Sequence, residues 1–213
     1  MPDLTTIYQN LFARYGDLHW WPAKTPYEVM VGAILTQNTA WSNVEKVIRQ
    51  FADHLTPERI QQMPLEELQD MIRPAGFFKQ KSLYLKALTE WFMRYGGRTE
   101  WIKSRPLDAV RRELSALHGV GNETADSILL YALDFPSFVV DAYTLRLFKR
   151  FPLDAGTEYM QVKAYIEKRL PAQALLLYKR FHALIVQNGK EHCRKKARCT
   201  GCPLSEACQK LAL

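Results

Sequence analysis

The sequence predicts an all-α protein, and three observations carry that prediction. Apolar residues recur at helical spacing along most of the 213-residue chain. No run alternates apolar and polar residues as a half-buried strand would. Prolines, glycines and Ser/Thr caps cut the chain into segments of helical length, with no internal repeat and no low-complexity stretch.

Leu4, Ile7, Tyr8, Leu11 and Phe12 form the first helical stripe. The stretch WWPAKTP (20–26) is a loop punctuated by Pro22 and Pro26. Pro26 also suits the first turn of the next helix, with Thr25 as its N-cap. That helix, YEVMVGAILTQ, is apolar on nearly every side, which places it centrally. NVEKVIRQFADHL (43–55) is the next helix, and TPERIQQM and PLEELQDMI read as two short ones opening on a cap or a proline. RPAGFFKQKS (73–82) is a turn into a long helix that ends at Gly96–Gly97. SRPLDAVRREL begins again at a Ser104 cap and leads to the turn LHGVGNETAD (117–126), followed by a helix over 122–133. DFPSF breaks the chain, Val139 and Val140 are extended, and a helix starts at or near Asp141. Helices over 157–169 and 171–189 follow, then a cysteine-bearing tail.

Hydrophobic residues make up 47% and charged residues 24%, the balance of an ordinary soluble domain. No apolar run approaches the ~20 residues that span a bilayer, so no membrane partner is expected. The N-terminus lacks the basic-then-apolar pattern of a signal peptide. A cytoplasmic protein of bacterial type, near the nucleoid, is the expectation. The net charge of +7 and pI of about 9.2 favour a polyanionic partner.

Three features carry chemistry. Gly119-Val120-Gly121 precedes a helix, and both glycines can adopt positive φ or let another backbone come close. The first N–H groups of that helix then form an anion site at the positive end of its dipole. A plain tight corner between helices explains the same residues. Asp141 opens a helix, where a carboxylate is also an ordinary N-cap. All four cysteines, Cys193, Cys199, Cys202 and Cys208, fall in the last 21 residues, which reads as a metal site rather than a disulfide framework. Four thiolates can hold zinc or a [4Fe-4S] cluster. Zinc ribbons pair two C-x-x-C knuckles, and here only Cys199 and Cys202 form one, so the compact spacing C-x5-C-x2-C-x5-C favours the cluster. RKKAR between the first two cysteines balances an anionic cluster or lies along a phosphate backbone, unless it is simply a solvated charge run.

Taken together, LHGVGNETAD, VVDAYTLRL, ILTQNT and the cysteine tail resemble, in order, the motifs of the helix–hairpin–helix–GPD superfamily of base-excision DNA glycosylases, the endonuclease III group. WWP, GAILTQNT, RPAGFFKQK, GNETAD and FVVDAYTLRLF are most similar to its 3-methyladenine DNA glycosylase III type. The resemblance implies two helical lobes with DNA in the cleft between them. One lobe spans 26–134. The other joins 1–25 to 135–213 and carries a structural [4Fe-4S] loop over 193–208. It implies a monomer acting on double-stranded DNA containing damaged bases. Such an enzyme must flip its target nucleotide out of the stack. Gln37 would fill the gap, the hairpin of Gly119, Val120 and Gly121 would grip phosphate, and Asp141 would stabilise the cationic sugar and orient water. Trp20, Trp21 and Trp41 would line the base pocket, where indoles attract a cationic alkylated base; each also suits a protein core. Glu123 would stand at the pocket mouth, with Phe77, Phe78 and Lys81 bordering it.

Two departures stand out. Glu123 occupies the position of the lysine that bifunctional members use to attack the sugar, and a carboxylate forms no imine; the resemblance therefore implies a monofunctional enzyme. The first cysteine gap is five residues where the family pattern has six. A glycosylase for oxidised, mismatched or uracil bases, a non-catalytic damage-binding protein and a redox protein remain as alternatives from the sequence.

Overall fold

The computed structural model describes residues 3–171 and 174–211. All regular structure among these residues is helical. The chain forms two compact units, one of residues 1–22 with 136–213 and one of residues 23–135.

In the second unit, α2 (Pro26–Leu35) is the buried centre: eight of its ten residues are buried. Thr25 caps it, its hydroxyl accepting the Glu28 N–H at 3.1 Å, and Pro26 sits at the start where it forfeits no intrahelical bond. Around it pack α6 (Phe78–Arg94) and α9 (Asn122–Ser127), which runs on into one π-helical turn over Ile128–Ala132. The helix expected over 122–133 therefore changes pitch midway; Leu133 N–H reaches back five residues to Ile128 O at 3.1 Å. α3 (Trp41–Phe51) buries Val44, Val47 and Phe51 on one side and closes in a tight turn, Ala52–His54. α4 (Pro57–Gln62) and α5 (Leu65–Ile72) are the two short helices, each opening beside a proline.

One expectation fails here. Ser104 does not cap the helix of LDAVRREL. It ends a short helix not foreseen from the sequence, α7 (Thr99–Lys103), and α8 (Leu107–Ser115) starts from Pro106 without a side-chain cap. Proline's fixed φ replaces the missing hydroxyl.

In the first unit, α1 (Leu4–Tyr15) is capped by Asp3, whose Oδ1 accepts the Thr6 N–H at 2.8 Å. α10 (Ala142–Arg150), α11 (Tyr159–Arg169) and α12 (Leu175–Glu191) complete it, with α12 packed against α1 and α10. α12 begins at Leu175 rather than 171; residues 172 and 173 lie outside the described set. A Cβ on Gly189 would stand 2.3 Å from the Tyr143 ring, so this glycine is what lets α12 lie against α10. Among the described residues no helix is long and apolar enough to cross a membrane.

Candidate active site

Asp141 ends the irregular stretch Phe138–Val140 and caps α10. Its Oδ1 accepts the Thr144 N–H at 2.7 Å, while Oδ2 stands 3.7 Å from Nε2 of His182 on α12. Both side chains are buried. Burial pushes Asp141 up, but the His182 pairing and the Thr144 hydrogen bonds outweigh it and hold the carboxyl below its ordinary value. The result is an ionised carboxylate away from water, with one oxygen fixed and the other facing an imidazole.

Two turns further along α12, the Lys190 ammonium lies 4.9 Å from the Trp20 ring centroid. Partial burial pushes this lysine down, opposed by the charge of Asp141. Trp20 meets Trp21 edge to face at 6.0 Å, and both are half-buried. The indole face that the sequence reading assigned to a cationic base thus carries a protein ammonium.

The hairpin lies in the second unit. Gly119 has φ +82, and a Cβ there would stand 2.2 Å from the Tyr84 ring. Gly121 departs from the expectation of positive φ. It is extended, with φ −84 and ψ −179, serves as the N-cap of α9, and has open space where a Cβ would go. Val120 buries its side chain, and its N–H is used inside the turn on Leu117 O at 3.1 Å. Arg111 of α8 fastens the two flanking helices together. Its Nε donates to Asp126 Oδ1 at 2.8 Å and its second nitrogen to Oδ2 at 3.0 Å, a bidentate pair whose carboxylate is buried. Glu123 is exposed in the first turn of α9.

Gln37 meets this hairpin directly. Its Nε2 donates to Gly119 O and to Thr124 Oγ1, both at 2.9 Å. Lys81 fixes the loop that carries Gln37, its three donors going to Leu35 O, Thr39 Oγ1 and Ala75 O at 2.7–2.9 Å. That set satisfies every donor an ammonium has. Burial pushes the Lys81 amine down to about 8. Beside it Phe77 is 64% exposed on a left-handed backbone, φ +47, so an aromatic ring is held out to solvent from a rigid turn. Trp41 begins α3 half-buried, its indole N–H on Glu45 Oε1 at 2.9 Å.

The four cysteines of the first unit line one cavity together with Leu147, Phe151 and Leu204, and no disulfide joins them. Asn188 anchors the loop: its carbonyl accepts the N–H groups of His192 and Cys193 at 2.8 and 2.9 Å. The Arg150 guanidinium donates to Cys193 Sγ at 3.2 Å. Burial pushes the Cys202 and Cys208 thiols up, and the neighbouring cysteines add to it. Four soft donors lining one cavity beside a guanidinium have the chemistry, though not the placement, of an anionic four-thiolate centre. Among the described residues no group of three His, Cys, Asp or Glu is arranged to hold a metal ion.

Residues 31–172 match the sequence model of the HhH-GPD superfamily of base excision DNA repair proteins. The chain belongs to this superfamily. A Methanocaldococcus jannaschii protein provisionally named a DNA repair glycosylase is 48% identical over 207 residues, 95% of this chain and 94% of that one. An endonuclease III bound non-covalently to DNA shares the fold with a TM-score of 0.81 and 25% identity, covering 99% of this chain and 97% of its own. The 3-methyladenine DNA glycosylase of H. pylori, solved with 1,N6-ethenoadenine, gives a TM-score of 0.75 and 26% identity, covering 87% and 96%. The protein is a DNA repair glycosylase of the HhH-GPD family.

Within this HhH-GPD enzyme, Asp141, Trp20, Trp21 and the cysteines belong to one unit, and Gln37, Trp41, the hairpin and Glu123 to the other. His182 and Lys190 escaped the sequence reading. Both lie on α12, 41 and 49 positions beyond Asp141, His182 within its buried run and Lys190 in its polar last turn. The one available signal was that His182 interrupts the apolar run from Phe181 to Val186, whereas Lys190 reads as an ordinary cation at a helix C-terminus.

Proposed function

We propose that this glycosylase is monofunctional: it flips a damaged base from duplex DNA, an alkylated purine such as 3-methyladenine, and hydrolyses its N-glycosidic bond with water. The observation that carries the reading is Asp141, buried yet held ionised between Thr144 and His182. As the bond to the base lengthens, the sugar gains positive charge, and a fixed carboxylate stabilises it more than water would. Oδ2 is the oxygen left to take the proton of an attacking water. A purine already carrying a positive charge departs without a protonating acid. The likeness to the H. pylori enzyme supports that substrate class. Trp20, Trp21 and Trp41 are proposed as pocket walls and Glu123 as an acid at the mouth that favours a cationic base.

DNA is proposed to be gripped through the backbone at Gly119, Val120 and Gly121, a contact that positions without reading sequence. The Gln37 amide nitrogen serves the hairpin, which leaves Oε1 to meet an orphaned base. Phe77, exposed on its turn, extends the same surface. Cys193, Cys199, Cys202 and Cys208 would hold a [4Fe-4S] cluster, which when bound would fix the shape of the loop and take no part in breaking the bond. Arg150 offsets its negative charge.

Single-turnover release from duplexes carrying methylated purine, oxidised pyrimidine, uracil or mismatched thymine tests the reading, with borohydride added in parallel. Methylated purine should be released at least about tenfold faster than the rest, the cost of roughly 1.4 kcal/mol of pocket discrimination. No covalent adduct should form. A trapped adduct would assign lyase chemistry to an amine, and Lys190, already pushed down by burial beside Asp141, is the one to replace first. Preference for another lesion overturns the substrate assignment.

His182→Gln gives a further expected result. Without the imidazole, burial acts on Asp141 with less opposition, so its pKa rises. A carboxylate depressed in the folded state contributes stability above its unfolded pKa and loses it as pH falls through the folded value. The variant should therefore lose both activity and that stability at higher pH than the parent. The acid limb of kcat/KM should move up; an unmoved limb would show that His182 does not tune Asp141.

A further inference from the structure

Residues 137–141 form an irregular segment, and all of them are buried. Buried backbone outside helices and sheets still needs hydrogen-bond partners. Here α11 supplies them. Tyr159, Lys163 and Glu167 stand at four-residue intervals and so share one face of that helix. Glu167 Oε1 accepts the Phe138 N–H at 2.8 Å. Lys163 Nζ donates to Phe138 O at 3.0 Å and to Ser137 Oγ at 2.8 Å. At the start of α11 the Tyr159 hydroxyl accepts the Val140 N–H at 3.4 Å. The three side chains take backbone groups along the segment, much as a neighbouring strand would.

Lys163 and Glu167 are themselves paired at 2.7 Å, and Lys163 is 5% exposed. A buried ion pair is a weak source of stability, because desolvation offsets its attraction. What it supplies here is direction: a cation and an anion close on the two ends of one residue, Phe138. The ring of that residue meets α12 edge to face, with centroids 5.6 Å from Tyr178 and 6.4 Å from His182. His182 is the imidazole that faces Asp141 Oδ2. Three residues beyond Phe138 the chain reaches Asp141 itself. The grip on Phe138 therefore bears on the carboxylate and on the imidazole opposite it.

We propose that Lys163 and Glu167 are positioning residues for base release: by gripping the backbone of Phe138 they hold the Asp141 carboxylate where the cationic sugar forms. The inference rests on the catalytic role proposed for Asp141. Placement is worth much in rate, since a misplacement of about 1 Å can cost about a hundredfold.

The test uses the full-length protein. Lys163→Met keeps the aliphatic stem and removes the donors. Glu167→Met removes the acceptor from a side chain that is 30% exposed, so it carries the test if the lysine variant does not fold. Glu167→Gln restores an acceptor for the Phe138 N–H. Each substitution is made in the parent and in the Asp141→Asn protein. Single-turnover release and affinity are measured on a duplex carrying the lesion released fastest in the panel above, below the melting temperature of every variant. In the parent background the Met variants should slow release about ten- to a hundredfold with affinity unchanged, the pattern of support given in the transition state alone. Glu167→Gln should recover most of the rate that Glu167→Met loses. In the Asp141→Asn background the same substitutions should change the rate by less than about twofold, because residues acting through one carboxylate do not add. Equal slowing in both backgrounds would mean that the pair serves only the fold. No slowing in either would mean that Phe138 keeps its place without it. Either result overturns the proposal while leaving the role of Asp141 intact. If Asp141→Asn alone releases base as fast as the parent, the role of Asp141 fails and the proposal fails with it.

Discussion

Asp141→Asn is expected to slow base release by about a thousandfold while leaving the fold and DNA affinity nearly intact. Asparagine is as good an N-cap as aspartate. It keeps the acceptor that Thr144 N–H uses at 2.7 Å. What it lacks is the negative charge that a cationic sugar needs and the basic oxygen that water needs. Asp141→Ala is the informative partner. It removes charge and cap together, so it should cost a further ~1 kcal/mol of stability through the lost cap, beside leaving His182 without its carboxylate. Single-turnover release, thermal melting and a gel shift on the same three proteins separate the two jobs. Equal rates for Asn and Asp would mean that Asp141 is a helix cap and nothing more. Equal melting for Asn and Ala would mean that the cap carries no weight.

The cap is the job that the sequence announces on its own, and the catalytic job is the one proposed for the same residue. A carboxylate just ahead of an apolar-periodic stretch is a local pattern, and so are Thr25 with Pro26 and the glycines around Val120. Local patterns placed most of the helices, because caps and periodicity act within a turn or two of the residue that shows them. The α8 start misled for the same reason: Ser104 and Pro106 lie two residues apart, and either can open a helix. What stayed hidden depends on chain segments that meet only after folding. His182 reaches Asp141 across 41 residues of sequence. Lys81 gathers Leu35, Thr39 and Ala75 into one anchor, and nothing in KQKS marks its lysine as buried. Asp126 reads as a polar residue in a helix until Arg111 is seen to fasten it to α8. The Trp20 face shows the opposite case: the ring proposed as a pocket wall already has Lys190 over it. Any cationic base at that ring must move or share with that ammonium, which makes Lys190→Met a useful companion in the lesion panel.

Gly119→Ala and Gly121→Ala are expected to fail in different ways, although the sequence writes the two glycines alike. At Gly119 the backbone has φ +82, which costs an alanine roughly 1–2 kcal/mol. Its Cβ would also stand 2.2 Å from the Tyr84 ring, near the root of that side chain, so the ring must leave its contact with His118. The two costs add to a loss of more than about 2 kcal/mol, since a displaced aromatic forfeits packing as well. At Gly121 φ is −84 and the space is open, so alanine fits and stability should change by no more than about 0.5 kcal/mol. Its methyl, however, would project at the exposed start of α9, where a phosphate would have to approach the backbone. Affinity for undamaged duplex should fall about tenfold, equivalent to roughly 1.4 kcal/mol. Urea melts and a binding isotherm at fixed salt measure both quantities. If Gly121→Ala binds DNA as tightly as the parent, the turn is a corner between helices and the phosphate grip must be sought elsewhere. If it loses affinity with its melt unchanged, the first glycine belongs to the fold and the second to the DNA.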